Sequence, residues 1–182
     1  INTHKVQAFP FEDPNTGNAI YWRDVGTLEA YYEANMDLIA TTPALDLYDH
    51  SWPIRTYFPP LPPPKFVFQT QASDSQSERK GHALDSMVSS GCVVSGGQVN
   101  RCILSRGVRV NSWATVNESI LLPDVKIGRN AKVHRAIVDR GVVIPEGAEV
   151  GFDQAADEAR GFTVTETGIT VVPQMASFEH LT

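Results

Sequence analysis

The sequence predicts a mainly β protein: a parallel β-solenoid of triangular cross-section, preceded by a shorter segment of mixed α/β character. Three observations predict it. Aliphatic residues recur in steps of five or six from Val88 to Val150. A second set of mostly small side chains follows several of them by four positions. A proline block, FPPLPPPKFVF from Phe58 to Phe68, separates this repetitive half from a first zone with helical and turn signals.

The first zone covers residues 1–57. HKVQAF alternates like a strand and PFEDPNTGN is rich in turn formers. Thr27 is placed to cap a helix whose apolar or aromatic positions are Leu28, Tyr31, Tyr32, Met36 and Ile39, with Asn35 interrupting the stripe. The TTP sequence at Thr41–Pro43 is its expected stop. Residues 58–82 form the next zone. Its prolines favour stiff polyproline geometry, and the polar run QTQASDSQSERKGH reads as a mobile loop.

The solenoid is assigned to residues 83–172, followed by a tail over 173–182. Every third aliphatic position gives Val99, Val116, Val133 and Val150, each seventeen residues from the last. Val94, Val110, Ile127 and Ile144 run beside them at nearly the same period. Such steps are too short for helical repeats. Each unit therefore makes one short strand and a corner, three units close a coil, and the aliphatic residues stack inside. Cys92, Val108, Ala114, Ala131, Val142 and Ala148 are further inward candidates suited to a narrow interior. Corners are expected at Gly96–Gly97, Asn111, Gly128 and Gly147, where positive φ is tolerated.

Composition narrows the function. With 182 residues, 42% of them hydrophobic, the chain can bury one sizeable core, or one core and a smaller appendage. A formal charge of -6 without a basic stripe argues against nucleic-acid binding, although single phosphate ligands need only two or three cations. Cys92 and Cys102 are too few for a disulfide scaffold and lack the partners of a zinc site. They read as buried thiols in a reducing cytoplasm. No apolar run approaches the eighteen residues of a membrane helix, so no membrane partner is expected. The chain opens on Ile1, not Met, and reads as cut from something longer.

The segments YWRDVGTLEAYYEAN, WPIRTY, MVSSGCVVSGG, ILLPDVKIG and AIVDRGVVIPEGAEVG together resemble the bacterial glucose-1-phosphate adenylyltransferases (ADP-glucose pyrophosphorylases). The likeness runs in order from about Tyr21 to Val172. It implies a left-handed parallel β-helix of hexapeptide repeats behind the remnant of a Rossmann-like nucleotidyltransferase domain. It also implies a cytoplasmic homotetramer that makes ADP-glucose and pyrophosphate from ATP and glucose 1-phosphate for glycogen synthesis. One departure is large. Nothing here matches that family's glycine-rich nucleotide loop, so this chain alone is not expected to catalyse.

The resemblance also assigns roles. Asp24 matches an aspartate that helps hold catalytic Mg2+, a hard cation suited to carboxylate and phosphate oxygens; the rival reading is a helix-start acid favoured by the dipole. Trp22 would cover the glucose moiety, or else be buried against the following helix. Arg23 reads as a surface ion pair with Glu29 or Asp46, or as a phosphate ligand. Arg140 matches an arginine that contacts a sugar-phosphate activator, and Asp124 an acid near a nucleotide inhibitor; solvated corner charges are the alternative for both. The family's further basic effector contacts near the C-terminus have no counterpart, since no Lys or Arg follows Arg160.

Two other readings stand beside this one. The chain could be a stand-alone β-helix module for assembly and effector binding, or a hexapeptide acyltransferase with a catalytic histidine. His134 follows inward Val133 and should face outward alone, while His82 precedes the repeats. Three zinc ligands, as in β-helix carbonic anhydrases, could be completed only with His4, His50 or His180, which lie off the coils.

Overall fold

Twelve short strands between His82 and Ile144 wind into four coils of three strands each. The computed structural model describes residues 4–12, 17–51, 53–67, 69–70 and 79–178. Most of the polar loop expected near residues 69–82, together with Trp52 and His180, lies outside the described residues. The first helix, α1 (Leu28–Asp37), begins where the sequence expects, with Thr27 Oγ1 accepting from the Ala30 N–H at 3.1 Å. The proline block leads into β1 (Lys65–Val67), and β2 (Gln69–Thr70) pairs antiparallel with β3 (Arg79–Lys80).

The coils follow. They comprise β4 (His82–Leu84), β5 (Met87–Val88) and β6 (Val93–Ser95), then β7 (Gln98–Asn100), β8 (Ile103–Leu104) and β9 (Arg109–Val110). The third holds β10 (Thr115–Asn117), β11 (Ile120–Leu121) and β12 (Lys126–Ile127), and the fourth β13 (Lys132–His134), β14 (Ala136–Val138) and β15 (Val143–Ile144). β16 (Glu149–Val150) opens a fifth turn that α2 (Gln154–Ala159), β17 (Thr163–Val164) and β18 (Thr170–Val172) complete differently.

Stacking gives three parallel walls, β1-β6-β9-β12-β15, β4-β7-β10-β13-β16, and β5-β8-β11-β14-β18 with β17 antiparallel at its edge. Register follows the seventeen-residue period: Val116 pairs with Val99 and Val133, and Val133 with Val150. All four are fully buried. The smaller inward set is buried as well, from Cys92 and Val108 to Ala148. Val125 belongs to the same interior and keeps the four-residue spacing from Leu121, whereas Cys102, Ser119 and Ala136, also buried, follow Val99, Val116 and Val133 by three. Ser119 is tolerated there because its hydroxyl is used twice: Oγ donates to the Asn117 carbonyl at 2.6 Å and accepts from the Ala136 N–H at 3.1 Å.

The corners differ from the sequence expectation. Gly96 and Gly147 do have positive φ, but Asn111, Gly97 and Gly128 do not; Trp113 (φ 59°) and Asn130 (φ 56°) take that conformation instead. Gly97 and Gly128 serve close backbone approach. A Cβ on Gly128 would sit 2.6 Å from Glu146 N and Pro145 C, and one on Gly97 2.7 Å from the Asn111 carbonyl oxygen.

The last coil is capped from within the chain. Phe162 is buried over the interior, with the Phe178 ring 5.5 Å from it. Asp157 of α2 is fully buried and accepts from Gly151 N–H at 2.8 Å, Thr170 Oγ1 at 3.1 Å and the Arg160 guanidinium at 2.5 Å. Arg160 also donates to the Glu149 carbonyl at 2.8 Å, so this charge pair ties the helix to the coil below it.

Val133→Asp removes roughly 1.5–3 kcal/mol of apolar burial and adds an unpaired carboxylate. Because each coil rests on its neighbours, thermal melting should fall steeply and hydrogen exchange should rise in the coils on both sides of β13. A melt like that of the wild type would show that Val133 does not point inward.

Burial pushes the Cys102 thiol from 9.0 to about 12 and raises that of Cys92, and burial likewise lifts the Tyr32 hydroxyl from 10.0 to about 12. Each group is held neutral in the fold but ionises more readily once unfolded. Their stabilisation is therefore full below pH 9 and is lost as pH rises through 9 toward about 12. The urea midpoint should be level near neutrality and decline in that alkaline window. At about pH 8, iodoacetamide should leave both native thiols unmodified and label both after unfolding.

Candidate functional site

Each coil turns at three corners, and the positive-φ residues between Asp85 and Gly151 fall into three columns. One contains Gly91, Gly107, Asp124 and Gly141, a second Gly96, Trp113, Asn130 and Gly147, and a third Asp85, Arg101, Glu118, Arg135 and Gly151. The first column carries two of the candidate residues. The dipeptides Ser90–Gly91, Arg106–Gly107, Pro123–Asp124 and Arg140–Gly141 stack along the edge between the third wall and the first. Backbone bonds connect successive corners: Gly107 N–H to Ser90 O at 3.2 Å, Asp124 N–H to Arg106 O at 3.0 Å, and Gly141 N–H to Pro123 O at 2.9 Å.

Arg140 and Asp124 thus share one ridge, and both are exposed. As the alternation expects, Val138 is buried and Arg140 stands at the turn beyond it. Asp124 holds φ at 66°, and its Oδ1 occupies the space beside Gly107, where a Cβ would lie only 2.5 Å away. Among the described residues, the side chains of Arg106, Asp124 and Arg140 make no hydrogen bond or ion pair, although the Arg140 backbone N–H donates to Asp139 Oδ1 at 2.6 Å; two guanidinium groups are thus available on this edge. Sequence reasoning missed Arg106, although stepping back by seventeen from Arg140 through Pro123 reaches it.

Beside this ridge runs an open cleft of about 650 Å3, lined on one wall by Tyr57, Phe58 and Pro59 and on the other by Ser89, Ser105 and Arg106. The proline block forms the first wall because it is fastened to the coil. Gly91 N–H donates to Pro62 O at 2.7 Å.

Trp22 and Asp24 stand elsewhere, on the segment leading into α1. Trp22 is 74% exposed, so the following helix does not bury it. Arg23 pairs with Glu33 at 3.1 Å and with Asp37, both on α1, rather than with Glu29 or Asp46. Asp24 does not cap the helix, since Thr27 does so. Its Oδ1 accepts from the Gly26 N–H at 3.0 Å, closing a small turn just ahead of the cap. No hydrogen bond or ion pair among the described residues joins Trp22 or Asp24 to Asp124 or Arg140.

The metal chemistry is limited by what surrounds Asp24. No group of three His, Cys, Asp or Glu side chains able to hold a metal occurs among the described residues. An exposed carboxylate with one hydrogen bond can still supply a single oxygen ligand to Mg2+, which takes one or two carboxylates and completes its shell with phosphate and water. His82 Nδ1 lies 3.3 Å from the Lys80 carbonyl, and His134 packs its ring 5.8 Å from that of Phe152. Among the described residues, neither histidine belongs to a group of three side chains able to hold a metal.

A family model described as GlmU-like, C-terminal hexapeptide, matches residues 62–172, a range that runs from just ahead of β1 to the end of β18 and includes all the coils. The chain belongs to that family. It is also 54% identical over 172 residues to a glucose-1-phosphate adenylyltransferase of Rhodopirellula baltica, covering 94% of this chain and 38% of the relative. Enzymes of the same name from Shewanella frigidimarina and Koribacter versatilis are each 50% identical over 172 residues, covering 94% of this chain and 40% of the relative. The chain thus spans about two-fifths of these curated relatives, matching their C-terminal part. No helix among the described residues is long and apolar enough to cross a membrane.

The Gly107–Asp124 contact can be read by substitution. Gly107→Ala places a Cβ in a positive-φ residue, at roughly 1–2 kcal/mol, and drives it into the Asp124 carboxylate. Adding Asp124→Gly should recover the part due to that clash, leaving the backbone cost. Urea denaturation of the two single variants and the double variant measures the coupling. Strict additivity would show that the two side chains do not meet.

Proposed function

We propose that the chain is the C-terminal part of a glucose-1-phosphate adenylyltransferase, and that the whole enzyme makes ADP-glucose and pyrophosphate from ATP and glucose 1-phosphate. The identity of 54% over 94% of this chain is the observation that carries the reading. Residues 1–57 would complete a catalytic domain, residues 58–82 would connect it, and residues 83–172 would form a left-handed regulatory and oligomerisation domain with a tail over 173–182. The whole enzyme would work as a homotetramer in the cytoplasm, in glycogen synthesis.

Asp24 would contribute one oxygen to Mg2+ alongside phosphate groups of the substrate. When bound, the metal offsets charge that builds as phosphoryl groups are transferred. The Gly26 N–H contact orients the carboxylate, and the exposed Trp22 ring can cover the apolar C–H face of a sugar. Arg140 and Asp124 would meet sugar-phosphate and nucleotide effectors at the first corner column. A guanidinium there can pair with phosphate without displacing an internal partner.

The test uses the product of the complete reading frame. Wild-type protein should release pyrophosphate only when ATP, glucose 1-phosphate and Mg2+ are all present. Asp24→Asn should lower turnover by about 100-fold or more with an unchanged elution volume. Failure of the wild type to form ADP-glucose would refute the activity. Normal turnover in Asp24→Asn would remove Asp24 from the site.

A further inference from the structure

Tyr32 is the one buried residue of α1, and its neighbours are not those of an α/β core. It clusters with Ile120 and Ile137 on the outer face of the third wall and with Ile169 just ahead of β18. The hydroxyl donates to the Glu118 carbonyl at 2.6 Å. Glu118 is a corner residue with φ at 46°, and the next corner in that column is Arg135, whose guanidinium lies 5.6 Å from the Tyr32 ring centroid. Glu118 is steadied from below by Arg101, at 3.5 Å. One side chain thus joins the helix to a column of the solenoid.

The helix it anchors has ten residues, too few to be stable in water without tertiary packing. The segment ahead of it depends on the helix in turn. Arg23 reaches forward to Glu33 and Asp37, Asp24 closes its turn on Gly26, and Thr27 caps the first turn. Bonded contacts therefore run from the Asp24 carboxylate through α1 to Tyr32 and on to the Glu118 corner.

We propose that Tyr32 is a positioning residue: its contacts with Glu118 and the third wall fix where the Trp22–Asp24 segment stands on the solenoid. In its consequence for metal binding the proposal rests on the function proposed above. In its structural part it does not.

The test has two arms. In this chain, Tyr32→Phe keeps the ring and deletes the hydroxyl, so amide hydrogen exchange within Leu28–Asp37 should quicken by about threefold to tenfold while the interior strands β10 and β13 keep their protection. Ile137→Ala, which thins the same contact from the solenoid side, should also quicken exchange in α1. Unchanged α1 exchange in both variants overturns the proposal, as does equal loss of protection throughout the coils. In the complete enzyme, Tyr32→Phe should raise the Mg2+ concentration for half-maximal turnover by about threefold or more, with a smaller change in kcat. An unchanged Mg2+ midpoint together with quickened α1 exchange overturns the link to Asp24. If Asp24→Asn turns over normally, the catalytic reading fails, and the exchange arm still decides whether Tyr32 positions the segment.

Discussion

Every coil has to turn three times within sixteen or seventeen residues, and each turn places one residue at positive φ. The rest of the structure depends on that constraint. Glycine meets it without steric cost, yet Asp85, Arg101, Trp113, Glu118, Asp124, Asn130 and Arg135 meet it with side chains. Each such residue costs up to roughly 1–2 kcal/mol against an unstrained conformation. The backbone bonds between stacked corners and the burial of three aliphatic columns offset this. Because the corners repeat in register about 4.8 Å apart, side chains on them form ridges. Arg106 and Arg140 are therefore two coils apart, about 10 Å along the stack, with Pro123 between them.

The three outer walls have different chemistry, although their inner faces are alike. The first wall presents Lys65, Val93, Arg109, Lys126 and Val143 in register. The second is mainly polar, with Gln98, Thr115, Lys132 and Glu149 across one row and a Lys132–Glu149 ion pair at 2.8 Å. The third is apolar outside as well as inside: Met87, Ile103, Ile120, Ile137 and Val171 form its row. A solenoid wall that is apolar on both faces needs a covering layer. In this chain α1 supplies it over Ile120 and Ile137, which explains why a helix from the first zone lies on the repeats.

Much of the solenoid was legible because its signal is periodic. Val99, Val116, Val133 and Val150 repeat every seventeen residues, and a parallel stack requires that register. Corner identity was harder to read, because Trp113 and Asn130 are not glycines and Gly97 and Gly128 are needed for close approach rather than for φ. At the candidate site, the spacing placed Arg140 correctly at a turn, but Arg106 was passed over because it was not read as part of a column. The helical stripe containing Tyr32 was visible; its partner was not. Nothing local to Tyr32 specifies Glu118, 86 residues away.

Strand β14 is where these separate features meet. Ile137 faces outward beneath α1, while Ala136 and Val138 on either side face the interior. Arg135 precedes the strand at the Tyr32 corner, and Arg140 follows it at the ridge that holds Asp124. The cost of moving this strand is therefore not local. A shift of Val138 would open the interior against Leu121 and Val172, its neighbours in register. A shift of Ile137 would expose the bed of Tyr32. Close-packed interiors resist such partial displacement, so the two edges of the third wall are held at a fixed separation, and α1 is held with them.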